Sequence, residues 1–418
     1  MRELEYDVVV IGGGAAGMSS ALSVHEHGFR VAVVEREDHL GGILLQCIHN
    51  GFGLQEFKKE FTGPEYADEF IQKVGSSEID VYESTTVMSV TPSDDGHESY
   101  CYSPENGVMR LSSRAVVLAM GCRERNRGNI RIPGTRPAGV YTAGLAQRLV
   151  NIEGYVPGKD VVIIGSGDIG LIMARRMTWA GSRVHAVVEI QPYPSGLTRN
   201  IVQCLNDFDI PLYLSHVISR IEGHDRVKRV EVTPLVNGIP DTDESFHIDC
   251  DTVLLSVGLI PENELSKQAG VELNPQTGGA LVDSTMMSSV PGIFSCGNVL
   301  HVHDLVDFVS EEARRTGAYV VDYLRGKRPK REVRIKAGAN VRYVTPTRLN
   351  PAAPDKLYMR SLVVKNHAEV EIKLDNTVVK TARKNHVQPS EMLSVKLRDK
   401  DIENVRFTDD SVLEVNIR

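Results

Sequence analysis

Two stretches of the chain share one pattern: a short apolar run, a glycine-rich turn and a helix-forming segment. The first apolar run is Asp7–Ile11, followed by the turn GGGAAG and an alanine- and serine-rich segment. The second is Asp160–Ile164, followed by the turn GSGDIG and another helical segment. A further apolar run follows each, at Arg30–Val34 and Val184–Val188. The pattern predicts two strand–turn–helix–strand units of parallel sheet.

Apolar and polar residues alternate with period two in other parts of the chain. Val81–Leu118 alternates around turn residues, which predicts a small antiparallel meander. Glu369–Leu374, Leu393–Leu397 and Leu413–Ile417 alternate without any glycine-rich turn between them. Residues 331–418 are therefore predicted to form a separate β-sandwich-like domain. We expect this domain to mediate association and to have no part in nucleotide binding.

Composition narrows the class of protein. A chain of 418 residues suggests two to four domains. The net charge of -8 and the lack of a basic stripe argue against a nucleic-acid partner. The longest apolar runs are too short for a transmembrane segment. The N-terminus leads directly into the first strand, without the pattern of a signal peptide, so we expect a cytoplasmic protein.

The glycine-rich turns indicate dinucleotide binding. In such a turn, the first glycine allows the tight bend, the second lets a pyrophosphate approach the backbone, and the third lets helix and strand pack closely. The helix N-terminus then offers N–H groups to the phosphates. An acid about 20 residues further on accepts hydrogen bonds from a ribose. The predicted binding residues are Gly12, Gly14, Ala15, Ala16, Gly17 and Glu35 for the first unit, and Gly165, Gly167, Asp168, Ile169 and Glu189 for the second.

The six cysteines indicate no metal cluster. They are Cys47, Cys101, Cys122, Cys204, Cys250 and Cys296. None forms a C-x-x-C or C-x4-C spacing with another, which argues against an iron–sulfur cluster, a zinc site and a local redox disulfide. We therefore expect no metal site in this chain.

Three further segments identify a family resemblance. After Glu35 come Gly41 and Gly42, then VVLAMG at residues 116–121, and GIFSCGN at residues 292–298. In order and spacing over about residues 5–326, the chain resembles the two-dinucleotide-binding flavoproteins of the glutathione reductase superfamily. The resemblance implies FAD on the first turn and a nicotinamide nucleotide on the second.

The resemblance also implies a fold class and further contacts. The fold is α/β, with two Rossmann-like domains, the second inserted in the first, and the β-domain after them. The implied segments are 1–132 and 256–330 for FAD, 133–255 for NAD(P) and 331–418 for the β-domain. Additional cofactor contacts are implied for Arg36, Gly42, Ile43, Val87, Ala119, Gly121, Gly258, Gly297, Asn298 and Val306. Two positions depart from the family: Met120 stands for the usual Thr, and Asn298 for the usual Asp.

A finer resemblance comes from GGILLQCIHNGFG, LHVHDLVDFVSEEA and PAGVYTAG. These segments resemble FAD subunits associated with anaerobic glycerol-3-phosphate dehydrogenase and the α subunits of opine and proline dehydrogenases. Such relatives imply a partner redox subunit. The disulfide reductases carry a cysteine pair, whereas this chain has only Cys47 after the Gly-Gly pair, so a dithiol relay is not expected.

Two residues are candidates for catalysis. By resemblance, the stretch after Gly42 runs beside the isoalloxazine ring. Cys47 could then contact the flavin as a thiolate, and His49 could deprotonate a hydroxyl or amine substrate. A packed thiol and a hydrogen-bonded ring remain open as alternatives. His301 and His303 are expected to be structural, and Asp307 to cap the helix predicted over Asp304–Arg325.

The predicted function is an FAD-dependent NAD(P)H oxidoreductase. It would pass hydride between nicotinamide and flavin, and then electrons to a partner subunit or small acceptor. Glu189 would repel a 2′-phosphate, which favours NADH, although Arg199 leaves NADPH open. The alternatives are an FAD dehydrogenase of a small hydroxy acid or amine, and a non-catalytic redox-sensing subunit. A homo-oligomer also remains open.

Overall fold

The chain divides into two units, and the second is inserted in the first. The computed structural model describes residues 1–93, 95–327, 332–375, 377–408 and 410–418. The outer unit comprises Met1–Cys122 and Pro261–Arg418, and the inserted unit is Arg123–Ile260. The predicted boundary at residues 330/331 lies outside the described residues. The predicted α/β class with two Rossmann-like sheets is confirmed.

The first part of the chain supplies most of the outer unit's parallel sheet. Its elements are β1 (Arg2–Ile11), α1 (Ala15–His25), β2 (Val31–Val34), β3 (Asn50–Phe52), β4 (Phe61–Thr62), α2 (Gly63–Gly75), β5 (Asp80–Tyr82), β6 (Thr86–Ser93), β7 (Gly96–Ser103), β8 (Gly107–Leu118) and β9 (Cys122–Glu124). The strand order is β5-β2-β1-β8-β7-β6. The pairs from β5 to β8 are parallel, whereas β6, β7 and β8 form the predicted antiparallel meander.

The apolar run of β1 reflects burial on both faces of this sheet. Val8, Val9 and Val10 are fully buried. Val8 and Val10 face the core that contains α1, and Val9 faces the opposite core. A strand covered on both faces needs apolar residues at successive positions, which is why the sequence shows no alternation there.

The inserted unit repeats the parallel arrangement. Its elements are α3 (Arg127–Ile130), β10 (Val140–Thr142), α4 (Ala143–Asn151), β11 (Asp160–Ile164), α5 (Asp168–Trp179), β12 (Arg183–Glu189), α6 (Thr198–Cys204), β13 (Leu212–Leu214), β14 (His216–Gly223), β15 (Val227–Val236), β16 (Ile239–Pro240), β17 (Phe246–Asp249), β18 (Thr252–Leu255) and β19 (Leu259–Pro261). The parallel sheet has the order β10-β18-β11-β12-β13, and β14, β15 and β17 pair antiparallel.

The last part of the chain completes the outer unit. It contains α7 (Glu264–Gln268), β20 (Ile293–Ser295) and α8 (Val306–Leu324). Strand β20 pairs parallel with β8, and α8 packs against α1. Within the described part of the chain, no helix combines the length and the apolar character needed to cross a bilayer.

The C-terminal residues form two sheets around one core. Their elements are β21 (Val333–Ala337), β22 (Val341–Thr345), β23 (Arg348–Leu349), β24 (Lys356–Ser361), β25 (Lys365–Leu374), β26 (Thr377–Val387), β27 (Met392–Lys396), α9 (Asp399–Ile402) and β28 (Val412–Ile417). One sheet has the order β23-β21-β28-β25-β26, and the other has the order β22-β24-β27. Alternate residues of both sheets, such as Val370, Ile372 and Leu393, enter one apolar core. We call this part the β-domain.

The β-domain packs against α8 and the loop before it. Asp355 accepts a hydrogen bond from Tyr319 (3.0 Å) and pairs with Arg315. Lys356 pairs with Glu311 at 2.6 Å. Because these partners are largely buried and charged, the contact is a fixed part of the outer unit.

Arg360 of the β-domain reaches the loop at residues 300–305. Its guanidinium pairs with Asp304 and donates to the Val302 carbonyl at 3.2 Å. The side chain is 12% exposed. The β-domain therefore holds the loop between Asn298 and Val306, two residues for which the family resemblance implies cofactor contact.

We predict that Arg360→Ala lowers the free energy of unfolding by about 2–3 kcal/mol, because Asp304 is left without its counter-charge in a mostly buried setting. Urea denaturation followed by circular dichroism measures this change. Arg383→Ala is the matched control, since Arg383 pairs with Glu369 at 3.2 Å but is 90% exposed. Equal losses in the two variants would contradict the assignment.

Candidate flavin and nucleotide sites

The first glycine-rich turn is shaped by close contacts that exclude side chains. Gly12 has φ +107°, and a Cβ there would lie 2.5 Å from the Ala119 carbonyl oxygen. A Cβ on Gly17 would lie 1.7 Å from the Gly12 carbonyl oxygen. These positions require glycine because strand β1, strand β8 and helix α1 meet there at backbone distance.

Gly14 differs, because a Cβ there would meet no protein atom within 4 Å. Helix α1 begins at Ala15, and its N-cap Gly14 makes no side-chain hydrogen bond to the first turn. Open space at the second glycine, beside uncapped helix N–H groups, is the arrangement that a pyrophosphate needs. These residues therefore fit the diphosphate of FAD, with Ala15 and Ala16 at the helix start.

Glu35 braces this turn. The carboxylate is buried and accepts the Gly13 N–H at 2.6 Å and the Glu37 N–H at 2.9 Å. A carboxylate with two backbone donors is held in one orientation at the end of β2. The acid predicted to bind a ribose thus also fixes the turn that would hold the phosphates.

The second turn has the same construction in the inserted unit. Gly165 has φ +92°, and a Cβ there would lie 2.1 Å from the Ser256 carbonyl oxygen. Glu189 is buried and accepts from Ser166 N at 2.9 Å and Ser166 Oγ at 2.6 Å. At Gly167 the nearest atom to a built Cβ is Ser256 Oγ at 3.6 Å. A second dinucleotide diphosphate fits this cradle.

Two of the residues predicted for the second turn hold its surroundings. Asp168, at the start of α5, accepts from Leu197 N at 2.8 Å and Asn200 Nδ2 at 2.6 Å. Ile169 is partly buried against the core of the inserted unit. Arg199, weighed as a 2′-phosphate partner, lies exposed on α6 next to that tied segment.

The remaining residues predicted for cofactor contact have varied settings. Gly121 (φ +71°) and Gly258 (φ +97°) each have open space where a Cβ would be. Gly42 lies against Gly14, since its Cβ would be 3.2 Å from the Gly14 Cα. Arg36 and Ile43 are exposed. Val87 packs on the second core of the outer unit. Ala119 is buried and Val306 begins α8.

Cys47 is held as a neutral thiol. It follows a 3₁₀ turn over Gly42–Gln46, and its Sγ donates to the Ile43 carbonyl at 3.3 Å. Gly63 packs so closely on it that a Cβ would lie 2.8 Å from the Cys47 Cβ. Burial raises the pKa of this thiol to about 12. The geometry therefore disfavours the thiolate considered from the sequence.

His49 lies on the same segment. Its Nδ1 is 3.1 Å from the Asn50 carbonyl, which identifies Nδ1 as the donor. The ring packs at 5.0 Å from the Phe52 ring. In a neutral ring with Nδ1 protonated, the lone pair would lie on Nε2.

The loop after β20 is organised around Gly297 and Asn298. Gly297 has φ +74° and its N–H donates to Glu312 at 2.8 Å. Asn298 Oδ1 accepts the His303 N–H at 2.9 Å, and its Nδ2 lies 3.7 Å from Cys122 Sγ. Asn298 thus shapes the loop that the resemblance assigns to the flavin ribityl chain. We call residues 296–305 the flavin loop.

Asp307 does not cap α8, and that expectation is wrong. The N-cap is Leu305. The Asp307 carboxylate instead accepts three backbone N–H groups of the segment after His49: Gly53 at 3.2 Å, Gln55 at 2.9 Å and Glu56 at 2.8 Å. The residue reaches across about 250 positions of sequence, because the segment has donors that need an acceptor in a buried place.

Sequence reasoning missed a buried group in which Glu312 contacts both His301 and His303. The spacing of buried residues along α8 could have revealed it. Val309, Ala313 and Thr316 are buried at helical spacing, and Glu312 lies on the same face of the helix.

The comparisons with known proteins agree with this geometry. The chain matches the Pyridine nucleotide-disulphide oxidoreductase family over residues 6–316, and it belongs to that family. Family membership implies the use of FAD and a pyridine nucleotide. The matched segment contains both braced turns and the flavin loop, and ends within α8.

Individual relatives are more distant. Over 319 residues the chain is 27% identical to the hydrogen cyanide synthase subunit HcnB of Pseudomonas protegens, covering 70% of this chain and 65% of the relative. Over 286 residues it is 27% identical to an opine oxidase subunit of Agrobacterium tumefaciens, covering 64% and 55%. The chain thus matches between about half and two thirds of the length of these relatives.

Solved structures support the fold. The crystal structure of T. acidophilum thioredoxin reductase superposes with a TM-score of 0.64 at 24% identity, covering 76% of this chain and 98% of that one. In the present chain the six cysteines, all within the described residues, are not joined to one another in disulfides.

We predict that Cys47 resists alkylation near neutral pH. A thiol with a pKa of about 12 gains reactive thiolate only as the pH rises toward that value, so at pH 8 it should react roughly a thousandfold more slowly than a free cysteine. Iodoacetamide labelling with peptide mass spectrometry gives the rate for Cys47 from pH 7 to 10. A rate that reaches a plateau below pH 9 would contradict the neutral thiol.

We also predict that Asp307→Ala loosens the segment after His49. Loss of the shared acceptor should lower the local opening free energy by about 2 kcal/mol, or roughly thirtyfold in exchange rate, at Gln55 and Glu56. Hydrogen–deuterium exchange measures those amides. Asp322→Ala, on an exposed face of the same helix, is the control and should leave them unchanged. Unaltered exchange in Asp307→Ala would mean that the carboxylate does not hold this segment.

Proposed function

We propose that this protein is an FAD-dependent NAD(P)H oxidoreductase that passes hydride between nicotinamide and flavin. Electrons then go to a partner subunit or a small acceptor. The proposal rests on one observation above others, the presence of a carboxylate-braced glycine turn in each unit, with room at Gly14 and at Gly167 for a diphosphate. The family match supports the same chemistry.

The residues of the outer unit would bind FAD. Uncapped N–H groups at the start of α1 would bind the diphosphate, and Glu35 would accept from a ribose with the lone pairs that Gly13 and Glu37 leave free. Gly121 and the flavin loop would contact the rest of the cofactor. Bound FAD would supply reversible hydride acceptance, which no side chain provides.

The positive end of the α8 dipole would lie near the flavin. By resemblance, this helix points its N-terminus at the pyrimidine edge of the ring. Partial positive charge there stabilises an anionic reduced flavin. Asp307 offsets part of that charge, but its lone pairs are engaged by three N–H groups of the neighbouring segment.

The inserted unit would bind NADH in preference to NADPH. The buried Glu189 carboxylate would face the ribose and repel a 2′-phosphate. Because Glu189 also holds Ser166, exchanging it for arginine would damage the turn rather than simply alter the choice of nucleotide. Comparing NADH with NADPH on the wild-type protein is therefore the cleaner test.

A partner subunit is proposed as the electron acceptor. Both curated relatives described above carry the word subunit in their names. The side chain of Ile43 is 62% exposed, next to Gly42 in the stretch that the resemblance places beside the flavin. It gives that stretch an apolar residue on the surface, where a partner could bind. The finer resemblance to subunits of glycerol-3-phosphate, opine and proline dehydrogenase systems also supports a partner subunit as the electron acceptor.

The likeness to the opine oxidase subunit favours a second candidate, a flavin dehydrogenase of a small amine or hydroxy acid. His49 would then take the substrate proton at Nε2, and Cys47 would line the site as a neutral thiol. Under this second proposal the substrate reduces the flavin and NADH does not.

We predict that NADH bleaches the flavin absorbance under anaerobic conditions, faster than NADPH at equal subsaturating concentration. Gly14→Val should lose FAD, whereas Gly167→Val should keep FAD and lose at least tenfold in kcat/KM for NADH, because each side chain fills the space for one diphosphate only. Gly75→Val is the control, since Gly75 is an exposed helix glycine with open space around it.

Stopped-flow absorbance and flavin content measure these outcomes. A flavin that NADH leaves oxidised, but that a small amine reduces in a His49-dependent way, would replace the first proposal by the second. NADPH preferred by the wild-type protein would show that the charge argument at Glu189 is wrong.

A further inference from the structure

Three side chains with metal-binding atoms lie close together where the flavin loop meets α8. His301 and His303 lie on this loop and Glu312 on α8, and all three side chains have 0% exposure. His301 Nε2 is 2.8 Å from Glu312 Oε2. His303 Nε2 is 3.2 Å from Glu312 Oε1, in a direction that makes no hydrogen bond. Potential ligand atoms of the three residues lie within 4.8 Å of one another.

The buried carboxylate of Glu312 needs a compensating positive charge nearby. Glu312 is fully buried, and such a carboxylate is costly unless a cation or hydrogen-bond donors satisfy it. The nearby arginines are paired with other acids, Arg315 with Asp355 and Arg360 with Asp304. Among the described residues, the ion-pair partners of Glu312 are the two histidines.

Unpartnered ring nitrogens of the two histidines indicate that a ligand is missing. His303 has no hydrogen-bond partner at either ring nitrogen within the described structure, and His301 has none at Nδ1. A buried polar atom without a partner costs about 1–3 kcal/mol. The Tyr358 ring covers both histidines, at 5.1 Å from His301 and 5.5 Å from His303. With all three side chains at 0% exposure, the group is closed off from the surface.

The spacing fits metal coordination. Metal–nitrogen and metal–oxygen bonds of about 2.1 Å place neighbouring ligand atoms about 3.0 Å apart at octahedral angles and about 3.4 Å apart at tetrahedral angles. The separations from Glu312 to His301 and His303 are 2.8 and 3.2 Å, and the ligand atoms of all three residues lie within 4.8 Å of one another. Two imidazoles and one carboxylate suit iron, zinc and neighbouring metals, whereas Mg²⁺ and Ca²⁺ prefer oxygen ligands throughout.

We propose that His301, His303 and Glu312 bind one divalent first-row transition metal ion, Fe²⁺ or Zn²⁺, as a buried structural centre. The expectation from the cysteine spacing that the chain has no metal site considered thiolate ligands and overlooked these residues. The ion neutralises Glu312 and joins the flavin loop to α8 beneath the β-domain. Since Glu312 also accepts the Gly297 N–H, the centre fixes the backbone of the flavin loop.

The metal content of the wild-type protein tests the proposal. Untagged protein is produced in medium with Mn, Fe, Co, Ni, Cu and Zn at equal concentration, dialysed against EDTA, and analysed by inductively coupled plasma mass spectrometry. The expected result is about one transition-metal ion per chain. Less than about one ion per ten chains in folded protein would overturn the proposal, and would assign the positive charge to a proton on a histidine.

Variants locate the ion. His303→Gln and Glu312→Gln should lose it, whereas His224→Gln, whose side chain is 93% exposed, should keep it. An ion retained in both cluster variants would belong to other ligands and would overturn the assignment. If neither variant folds, the wild-type protein is unfolded in denaturant with chelator and refolded with and without Zn²⁺ or Fe²⁺. Metal-dependent recovery of the folded state supports the centre, and equal recovery without metal refutes it.

Discussion

Buried carboxylates that accept backbone N–H groups hold the loops of the candidate sites. Glu35 accepts from Gly13 and Glu189 accepts from Ser166, each at the end of a parallel strand. Glu312 accepts from Gly297 in the flavin loop. A buried carboxylate is costly unless charge-assisted hydrogen bonds satisfy it, so each of these acids and its loop stabilise one another in a single geometry. The proposed phosphate cradles and cofactor contacts depend on that geometry, because backbone atoms would make most of them.

The local parts of this arrangement could be predicted from the sequence. Each strand–turn–helix unit is short, and its hydrophobic pattern, its glycines and its acid all lie within about 30 residues. Gly12 and Gly165 were identifiable because their turns tolerate no side chain. The alternation in Glu369–Leu374 likewise identified a strand with one buried face.

The long-range parts could not be predicted in the same way. Asp307 had the pattern of a helix cap, but its carboxylate meets the backbone of residues 53–56, and no local pattern encodes that contact. His301 and His303 were expected to be structural, and nothing in their local sequence indicated that Glu312 on α8 contacts both of them. The alternation in the β-domain predicts its strands, but it does not reveal that Arg360 pairs with the flavin loop and Lys356 with α8. Tertiary packing decides such partnerships.

The central claim is that the first braced turn binds FAD, and the flavin content of the wild-type protein tests it most directly. Protein purified without added cofactor, or reconstituted with FAD and then desalted, is denatured, and the released flavin is measured by absorbance and identified by chromatography. Our account predicts about one FAD per chain, since the outer unit has one such cradle at Gly14. A folded protein that is colourless as isolated and takes up no FAD would contradict it.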